Sequence, residues 1–563
     1  MWMKQLILAM AAWGLAAAPG GAQEAVRPVK NVILMISDGT SLSSVSLARW
    51  MQFYRNPAQP KLNVDPWLCG TVRTSSSNAP IGDSAPTTSC YMSGQPSITG
   101  FVSTYPYACP GADLFPIDTA RAYQPTLTLL EAARINRGAA TGLVMTCEFP
   151  HATPADCSAH SYNRGKYEWI VPQMVSNGID VLIGGGTSLL TDEQEAYLRQ
   201  QGASVYRDDL AGMRADTARR MWALYGKREM DYDLDRDSTR QPSIAEMTRT
   251  ALSKLAKNPN GFFLMVEGSK VDWAAHNNDP VGVYTEYQAF DRAVGEAIRF
   301  AQADGQTAVI ITADHGNSGL SIGRADLNGY DRLTKDQLFG QLARYRLTAE
   351  GMARKLNAEP RSRVQQLFKQ YAGFELNEEE LNALDNCKGY KQSPIPEKER
   401  KATGHAALYS AALDGLVAQI YTRHSSIGFT TGGHTGEDVY LAAYHPAGTP
   451  PHGMLTNVEL NHYMAALMGM APDSLSRMSN TYFAPHAKVF DGYKWRIEPA
   501  AQGEAGPTLV VEPKSRRGKR LEIPAYSRTV RVGKEQQLLP TVVVYVDKKN
   551  TFFLPASLRG LLQ

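Results

Sequence analysis

Acidic and imidazole side chains punctuate this chain where its apolar runs stop. Asp38 closes ILMISDG, Glu267, Asp272 and His276 fall within FFLMVEGSKVDWAAH, Asp314 and His315 end VIITADHG, and His434 lies in IGFTTGGHTGED. A fifth segment, HATPADCSAHSYNR, supplies His151, Thr153 and Arg164. Carboxylates and imidazoles hold divalent cations, and the parallel strands of an open α/β sheet gather such groups where strands end and loops begin. The chemistry to expect is that of a multi-metal centre. Asp272 and His276, four residues apart, share one face if a helix begins at Trp273, a spacing suited to Zn²⁺. Asp314 and His315 leave a strand together, and Gly432-Gly433 lets the backbone beside His434 approach a metal closely. A lone Asp-Gly pair is ordinarily a turn former; the joint arrangement of the segments carries the reading. Gly82-Asp83-Ser84-Ala85-Pro86 opens a helix in which Ser84 suits the N-cap and Pro86 the first turn. The Ser84 hydroxyl then lies where backbone amides face anions.

The elements that must position these groups are legible as alternating strands and helices. Asn31 to Ile36 is almost wholly apolar, as a strand covered on both faces is, and Asp38-Gly39 ends it. Ala139 to Thr146, Gly178 to Gly186, Phe262 to Val266 and Thr307 to Thr312 read as further strands. Ser43 to Tyr54, Thr126 to Arg137 and Tyr284 to Ala303 read as helices. This alternation predicts an α/β fold, a three-layer α/β/α sandwich with a mostly parallel central sheet. Over 325–401, charged helix formers such as KDQLFGQLARYRL and LNEEELNAL replace the apolar strands and predict a helical insertion that caps the site or meets a partner. Helical periodicity returns from His405 to Tyr421 and from Asn457 to Met468. From 485 onward, TLVVEP, SRTVRV and TVVVYV predict a β-rich C-terminal tail, as a separate appendage or as extra edge strands. The expected organisation is a first core segment 23–324, the insertion 325–401, a second core segment 402–484 and the extension 485–563.

With 563 residues, 43% of them hydrophobic, the chain has enough to bury a large core, and a formal net charge of +3 argues against a dedicated nucleic-acid or membrane-surface binder. Lys4 ahead of the apolar run Leu6 to Ala18, followed by Gly20 and Ala22, predicts a signal peptide over 1–22 and a periplasmic or secreted protein. No other stretch approaches the roughly 20 apolar residues of a membrane-spanning helix. Six cysteines, Cys69, Cys90, Cys109, Cys147, Cys157 and Cys387, permit disulfides in an oxidising compartment. A bridge between Cys147 and Cys157 would pin the His151 loop; buried thiols are the alternative.

In this order the segments resemble the alkaline phosphatase family, from about Asn31 to Met470, with 325–401 diverging and the tail from Pro485 unmatched. The resemblance implies that Ser84, in GDSA, is the nucleophile that becomes phosphorylated. It implies two zinc ions and one magnesium ion: one zinc on Asp272, His276 and His434, the other on Asp38, Asp314 and His315 with the Ser84 oxygen, and magnesium on Asp38, Thr153 and Glu267 with His151 nearby. Asp83, Arg164 and Trp273 would line the phosphate, Arg164 gripping two of its oxygens. Substrates would be small phosphate monoesters of broad range, turned over fastest at alkaline pH. Family members are often dimers, so a homodimer is among the expectations.

Two positions depart from relatives. Trp273 stands where some carry a Lys or His, which removes a charged contact to phosphate. His151 stands where some carry Asp, and an imidazole there either sits behind the ligands or invites zinc into the magnesium site. His160, His405, His424, His445, His452, His462 and His486 lie outside the matched ligands and read as surface or structural residues. Two rival functions remain: a two-zinc relative cleaving phosphodiesters or sulfate esters, against which Thr153, Glu267 and Arg164 count, and an exported metal- or phosphate-binding protein without turnover.

Overall fold

The computed structural model describes residues 26–401, 412–501, 503–514 and 518–562. The expected signal peptide, His405 and the start of the helix expected from His405 lie outside the described residues; the helix there runs Leu413–Arg423. Up to Thr456 the strands are β1 (Asn31–Ser37), β2 (Leu68–Arg73), β3 (Ala140–Glu148), β4 (Val181–Gly185), β5 (Ala203–Arg207), β6 (Arg220–Tyr225), β7 (Phe262–Gly268), β8 (Thr307–Thr312), β9 (Gly316–Asn317), β10 (Ser321–Ile322), β11 (Ile427–Gly428), β12 (His434–Thr435), β13 (Val439–Tyr444) and β14 (Gly453–Thr456). Ten of them form one sheet in the order β14-β2-β13-β8-β1-β7-β3-β4-β6-β5. Only β13 runs against its neighbours, β2 and β8.

The central strands β1, β3, β7 and β8 are buried along their whole length, which their unbroken apolar sequence requires once helices cover both faces. One helical group is built on the long helix Pro280–Asp304, packed on Leu42–Arg55, Ile244–Leu255 and Lys270–His276; the other joins Ser84–Ser93 to Ala152–Ser158 and Asn457–Leu467. The result is the three-layer α/β/α arrangement expected from the alternation.

Local boundaries differ from expectation for identifiable reasons. The helix expected from Thr126 starts at Leu129, because Thr128 and Glu131 form a reciprocal capping box. The helix expected to begin at Trp273 starts three residues earlier, spanning Lys270–His276, so Asp272 and His276 both lie within it. Ser84 is not the cap of its helix: Asp83 holds that position and Ser84 is the first helical residue.

Within 325–401 the described elements are helical, and Ala349–Ala358 packs against Leu413–Arg423. The tail forms its own sheets rather than extending the central one. β15 (Ala484–Pro485) begins it, followed by β16 (Lys494–Glu498), β17 (Thr508–Glu512), β18 (Leu521–Pro524), β19 (Thr529–Val532), β20 (Glu535–Leu538), β21 (Val544–Val546) and β22 (Thr551–Leu554). β16 to β20 make a five-stranded antiparallel sheet, and β15, β22 and β21 a three-stranded one. The extension docks beside the core through Trp169 stacked on Tyr526 and Tyr162 donating to Asp547.

On the buried face of the long helix, Glu286 accepts a hydrogen bond from the Asp233 amide. Burial, reinforced by the Asp233 charge, pushes its carboxyl up to about 8 from 4.5. The folded state therefore holds the Glu286 proton more tightly than the unfolded chain, so this residue's contribution to stability falls as pH rises from about 4.5 to about 8. Glu286→Gln is expected to flatten that decline and to be more stable than the parent above about pH 8, by up to a few kcal/mol, and so to melt at a higher temperature there. Melting curves across that range check it; parallel curves for the two proteins would refute it.

Candidate metal centre and active site

Sheet register explains why distant acids meet. Ile36 in β1 pairs with Glu267 in β7 on one side and with Thr312 in β8 on the other. Asp38, Glu267 and Asp314 therefore sit within two residues of one level at the carboxyl edge, where parallel strands open into loops. β13 enters from the same edge because it is antiparallel, and the ribbon of β12 on β9, with His434 opposite Asn317, folds His434 back over the site. Gly39 is needed at the turn after β1: its φ is +57°, and a Cβ there would stand 2.1 Å from Asp272 Oδ1.

The imidazoles are oriented by carbonyls behind them. His276 Nδ1 lies 2.8 Å from Gly432 O, His434 Nδ1 2.8 Å from Gly82 O, and His315 Nδ1 3.1 Å from Gly316 O. A carbonyl oxygen only accepts, so each Nδ1 carries the proton and each Nε2 presents a lone pair. Those lone pairs converge with carboxylates. His276 Nε2 and His434 Nε2 are 3.1 Å apart, with Asp272 oxygens 3.4 and 3.9 Å from them. His315 Nε2 lies 3.4 Å from Asp314 Oδ2 and 3.5 Å from Asp38 Oδ1. Both Asp38 oxygens, Asp314 Oδ2, Glu267 Oε1 and Thr153 Oγ1 are buried without a hydrogen-bond partner. Buried acceptors facing acceptors either take up protons or enclose cations. The donor set fits divalent metals.

Three groupings emerge: Asp38, Asp314 and His315; Asp272, His315 and His434; and Cys147, His151 and Glu267, each with ligand atoms within 4.8 Å of one another. On the protein's own charges, burial and the neighbouring Asp314, Asp272 and Glu267 hold Asp38 well above the usual carboxylate range. Asp272 goes the other way, since His315, His276 and His434 outweigh its burial. Burial, then Asp314, pushes Glu267 up to about 8.

Ser84 lies in this cluster, its Oγ 3.2 Å from His315 Nε2 and its residue 2% exposed. As the first residue of Ser84–Ser93 it sits at the positive end of a helix. Asp83 holds the cap position but makes no side-chain capping bond, because its carboxylate turns away, accepting from Arg164 Nη1 at 2.5 Å and from the Gly100 amide at 3.3 Å. Burial would lower the Arg164 pKa, but the Asp83 and Asp38 charges outweigh it and hold the guanidinium firmly charged. Arg164 Nη2 also reaches His151 Nε2 at 3.2 Å, and the His151 ring meets Trp273 edge to face at 5.9 Å. Burial, then the Arg164 charge, lowers His151 to about 4, so it is neutral. The side chain of His276 is 40% exposed, and the site opens to solvent past it.

The structure thus brings together all the residues singled out as ligands, nucleophile and phosphate contacts. Sequence reasoning missed several supporting groups. Asn317 donates to Asp272 Oδ1 at 2.7 Å, the Gly39 amide to Asp314 Oδ1 at 3.0 Å, and Cys147 Sγ lies 3.4 Å from Glu267 Oε2. Only Cys147 had a signal, its place just before the His151 loop. Cys147 and Cys157 are separate thiols, so no disulfide pins that loop; Cys157 Sγ instead meets Thr153 O. His424 is held by Glu380 at 2.8 Å and stacked on Phe374, and His160 is buried between Ser103 O and Glu131, both structural as expected.

Known proteins resemble this chain over most of its length. Residues 29–470 match the alkaline phosphatase family. The chain is 31% identical over 446 residues to alkaline phosphatase 3 of Bacillus subtilis, spanning 77% of this chain and 87% of that one. It is 27% identical over 478 residues to the repressible alkaline phosphatase of Saccharomyces cerevisiae, spanning 77% and 79%. The fold is shared with the crystal structure of a cold-active alkaline phosphatase from a psychrophilic Shewanella species, with a TM-score of 0.65 at 24% identity over 78% of this chain and 99% of that one. Thermus thermophilus alkaline phosphatase gives a TM-score of 0.65 at 22% identity over 84% and 99%. All five acid- and histidine-bearing segments fall inside the matched residues, and the chain belongs to the alkaline phosphatase family of phosphomonoester hydrolases.

Proposed function

We propose that the chain hydrolyses phosphate monoesters through a phosphoserine at Ser84, with two zinc ions and one magnesium ion as cofactors. The observation that carries this reading is Ser84 Oγ beside His315, at a helix N-terminus, among buried acceptors that have no hydrogen-bond partner. Asp272, His276 and His434 would hold one zinc and Asp38, Asp314 and His315 the other. Asp38, Glu267 and Thr153, with oxygen donors, suit magnesium. Mg is bound in a histidine-substituted variant of the TAB5 alkaline phosphatase. His151 acts from behind this third site: its Nε2 accepts from Arg164, so Nδ1 carries the proton and offers no lone pair to a metal.

When bound, the cations would ionise the serine hydroxyl and offset charge on the leaving oxygen. The chain's own residues do the rest. The helix N-terminus and Arg164 draw in the phosphate, the guanidinium fork matching two of its oxygens. Asp83 holds that fork in place, and His151 braces it from the other side. The Ser84 oxygen bonds to phosphorus as the ester P–O bond breaks and the alcohol leaves with a proton. Water then attacks the phosphoserine, restoring the Ser84 hydroxyl and releasing inorganic phosphate. Nothing grips the leaving group in this scheme, which supports a broad monoester range, and the need for an ionised Ser84 supports a rate that rises toward alkaline pH. The apolar run Leu6 to Ala18 supports export to the periplasm or medium.

Arg164→Ala is expected to weaken phosphate binding, raising KM and the inhibition constant of inorganic phosphate by about ten- to a hundredfold, the worth of a charge-assisted bidentate contact. Arg164→Lys recovers only part, lacking the fork. Steady-state kinetics on both variants check this. The reading as a whole is tested by comparing nitrophenyl phosphate with its diester: faster monoester turnover is expected, and a faster diester reaction would overturn it.

A further inference from the structure

A second charged cavity lies at the opposite edge of the sheet. It encloses about 350 Å³, and its lining includes Arg134, Arg220 and Arg528, with Asp180 as the one carboxylate. Ala139 and Asp180, which also line it, directly precede β3 and β4, and Arg220 opens β6. These are amino ends of strands, whereas the metal ligands follow carboxyl ends. Roughly 20 Å of sheet separates the two sites.

The three guanidinium groups come from separate parts of the fold. Arg134 belongs to the helix Leu129–Arg137, while Arg528 comes from the C-terminal extension, just before β19. Arg528 is only 8% exposed, and its Nε donates to Leu539 O at 2.8 Å. Arg134 Nη2 donates to Asn177 Oδ1 and to Pro540 O, but its Nε is buried without a partner. Arg220 Nη1 donates to Gln201 O, and its Nε faces Asp180 Oδ1 at 3.3 Å. Arg528 and Arg134 approach each other across Gly178. A Cβ on that residue would stand 2.6 Å from Arg528 Nη1 and 3.9 Å from Arg134 Nε, and its φ of +79° also favours glycine. Burial, then the Arg134 charge, draws Arg528 down to about 10. Three cations face two carboxylates, Asp180 in the lining and the buried Glu131 behind Arg134, and with N–H donors left over in a partly buried space the remaining positive charge calls for a counter-ion.

We propose that this cavity is an anion site, separate from the catalytic centre, that takes a phosphoryl or phosphonate dianion and fastens the C-terminal extension to the core. Guanidinium forks converging from several directions match tetrahedral oxyanions. The occupant would draw Arg528 of the extension toward Arg134 and Arg220 of the core, removing the repulsion between them. An adjoining cavity of about 270 Å³, lined by Pro172, Val175, Pro524 and Tyr526, shares Val175, Ser176 and Tyr197 with the first. Its surface is mostly apolar, with Glu193 and Glu504 also lining it, so it offers a seat for an uncharged or cationic organic group. The shared chemistry is the dianion, supplied either as free phosphate, the product of this enzyme's reaction, or as an organic phosphate.

The test uses the metal-loaded full chain with inorganic phosphate and with phenylphosphonate, which a phosphatase cannot hydrolyse. Equilibrium dialysis is expected to find phosphate bound at a site beyond the catalytic one, and Arg528→Met to weaken that site at least tenfold. The constant for phosphate as a competitive inhibitor, which reports the catalytic centre, should stay unchanged in this variant. The rise in melting temperature with phosphate should shrink in Arg528→Met, and less so in Arg528→Lys, which keeps the charge. If the Met variant does not fold, Arg220→Met takes its place in the same measurements. Stronger stabilisation by phenylphosphonate than by phosphate, lost in the Arg528 variant, would identify an organic phosphate as occupant; equal stabilisation would identify free phosphate. The proposal is overturned if the variants bind phosphate and gain thermal stability from it as the parent does, or if all bound phosphate titrates with the inhibition constant.

Discussion

Ser84→Ala is expected to lose at least about a thousandfold in kcat while keeping its metals and its fold. The side chain is nearly fully buried, and Oγ is the hydroxyl placed beside His315. Removing it leaves water as the only nucleophile at phosphorus, without the fixed position of the serine oxygen. The fold should tolerate the change because Asp83, not Ser84, occupies the helix cap, and alanine is at least as good as serine inside a helix. The three imidazoles are oriented by backbone carbonyls that the substitution does not touch. Metal analysis and melting temperature should therefore match the parent while turnover collapses. Turnover within a few-fold of the parent would show that another group attacks phosphorus.

Prolonged chelation is expected to abolish activity and to lower the melting temperature, with zinc plus magnesium restoring both. The reason is electrostatic as well as chemical. Asp38, Asp314 and Glu267 are buried together, with oxygens that have no hydrogen-bond partner. Asp38 and Glu267 are both displaced upward by burial and then by the Asp314 charge. Cations that bind the folded arrangement and not the unfolded chain stabilise it by linkage, on the order of 4 kcal/mol when free metal exceeds its dissociation constant about a thousandfold. Calorimetry before and after chelation, with activity measured on the same samples, checks this. Activity and melting temperature that survive exhaustive chelation would contradict it.

The parts of the fold most legible in sequence were those with a single dominant physical signal. β1 and β8 showed as unbroken apolar runs ended by Asp-Gly or Asp-His, because strands covered on both faces have no polar side to confuse the pattern. The ligands on them followed from the rule that parallel sheets open at their carboxyl edges. His434 stood out through its glycines, but the pairing that delivers it did not: β9 and β12 are two residues each, too short for any periodicity. The cap of the Ser84 helix was misplaced by one residue because Asp83 and Ser84 are both good capping residues side by side, and the partner that takes the Asp83 carboxylate, Arg164, lies far along the chain. Cys147 beside Glu267 and Asn317 behind Asp272 are likewise products of tertiary proximity. In the tail only β17, β19 and β21 were legible, as Val-rich runs; β15, β16, β18, β20 and β22 were not, and closure into separate sheets depends on pairings that composition does not encode.

The central claim is that the Ser84 oxygen carries the phosphoryl group between the ester and water. The most direct measurement is an acid quench of the enzyme during turnover, followed by peptide mapping by mass spectrometry. One phosphorylated peptide, with the phosphate on Ser84, is the predicted result. Phosphate on a different side chain would contradict the account.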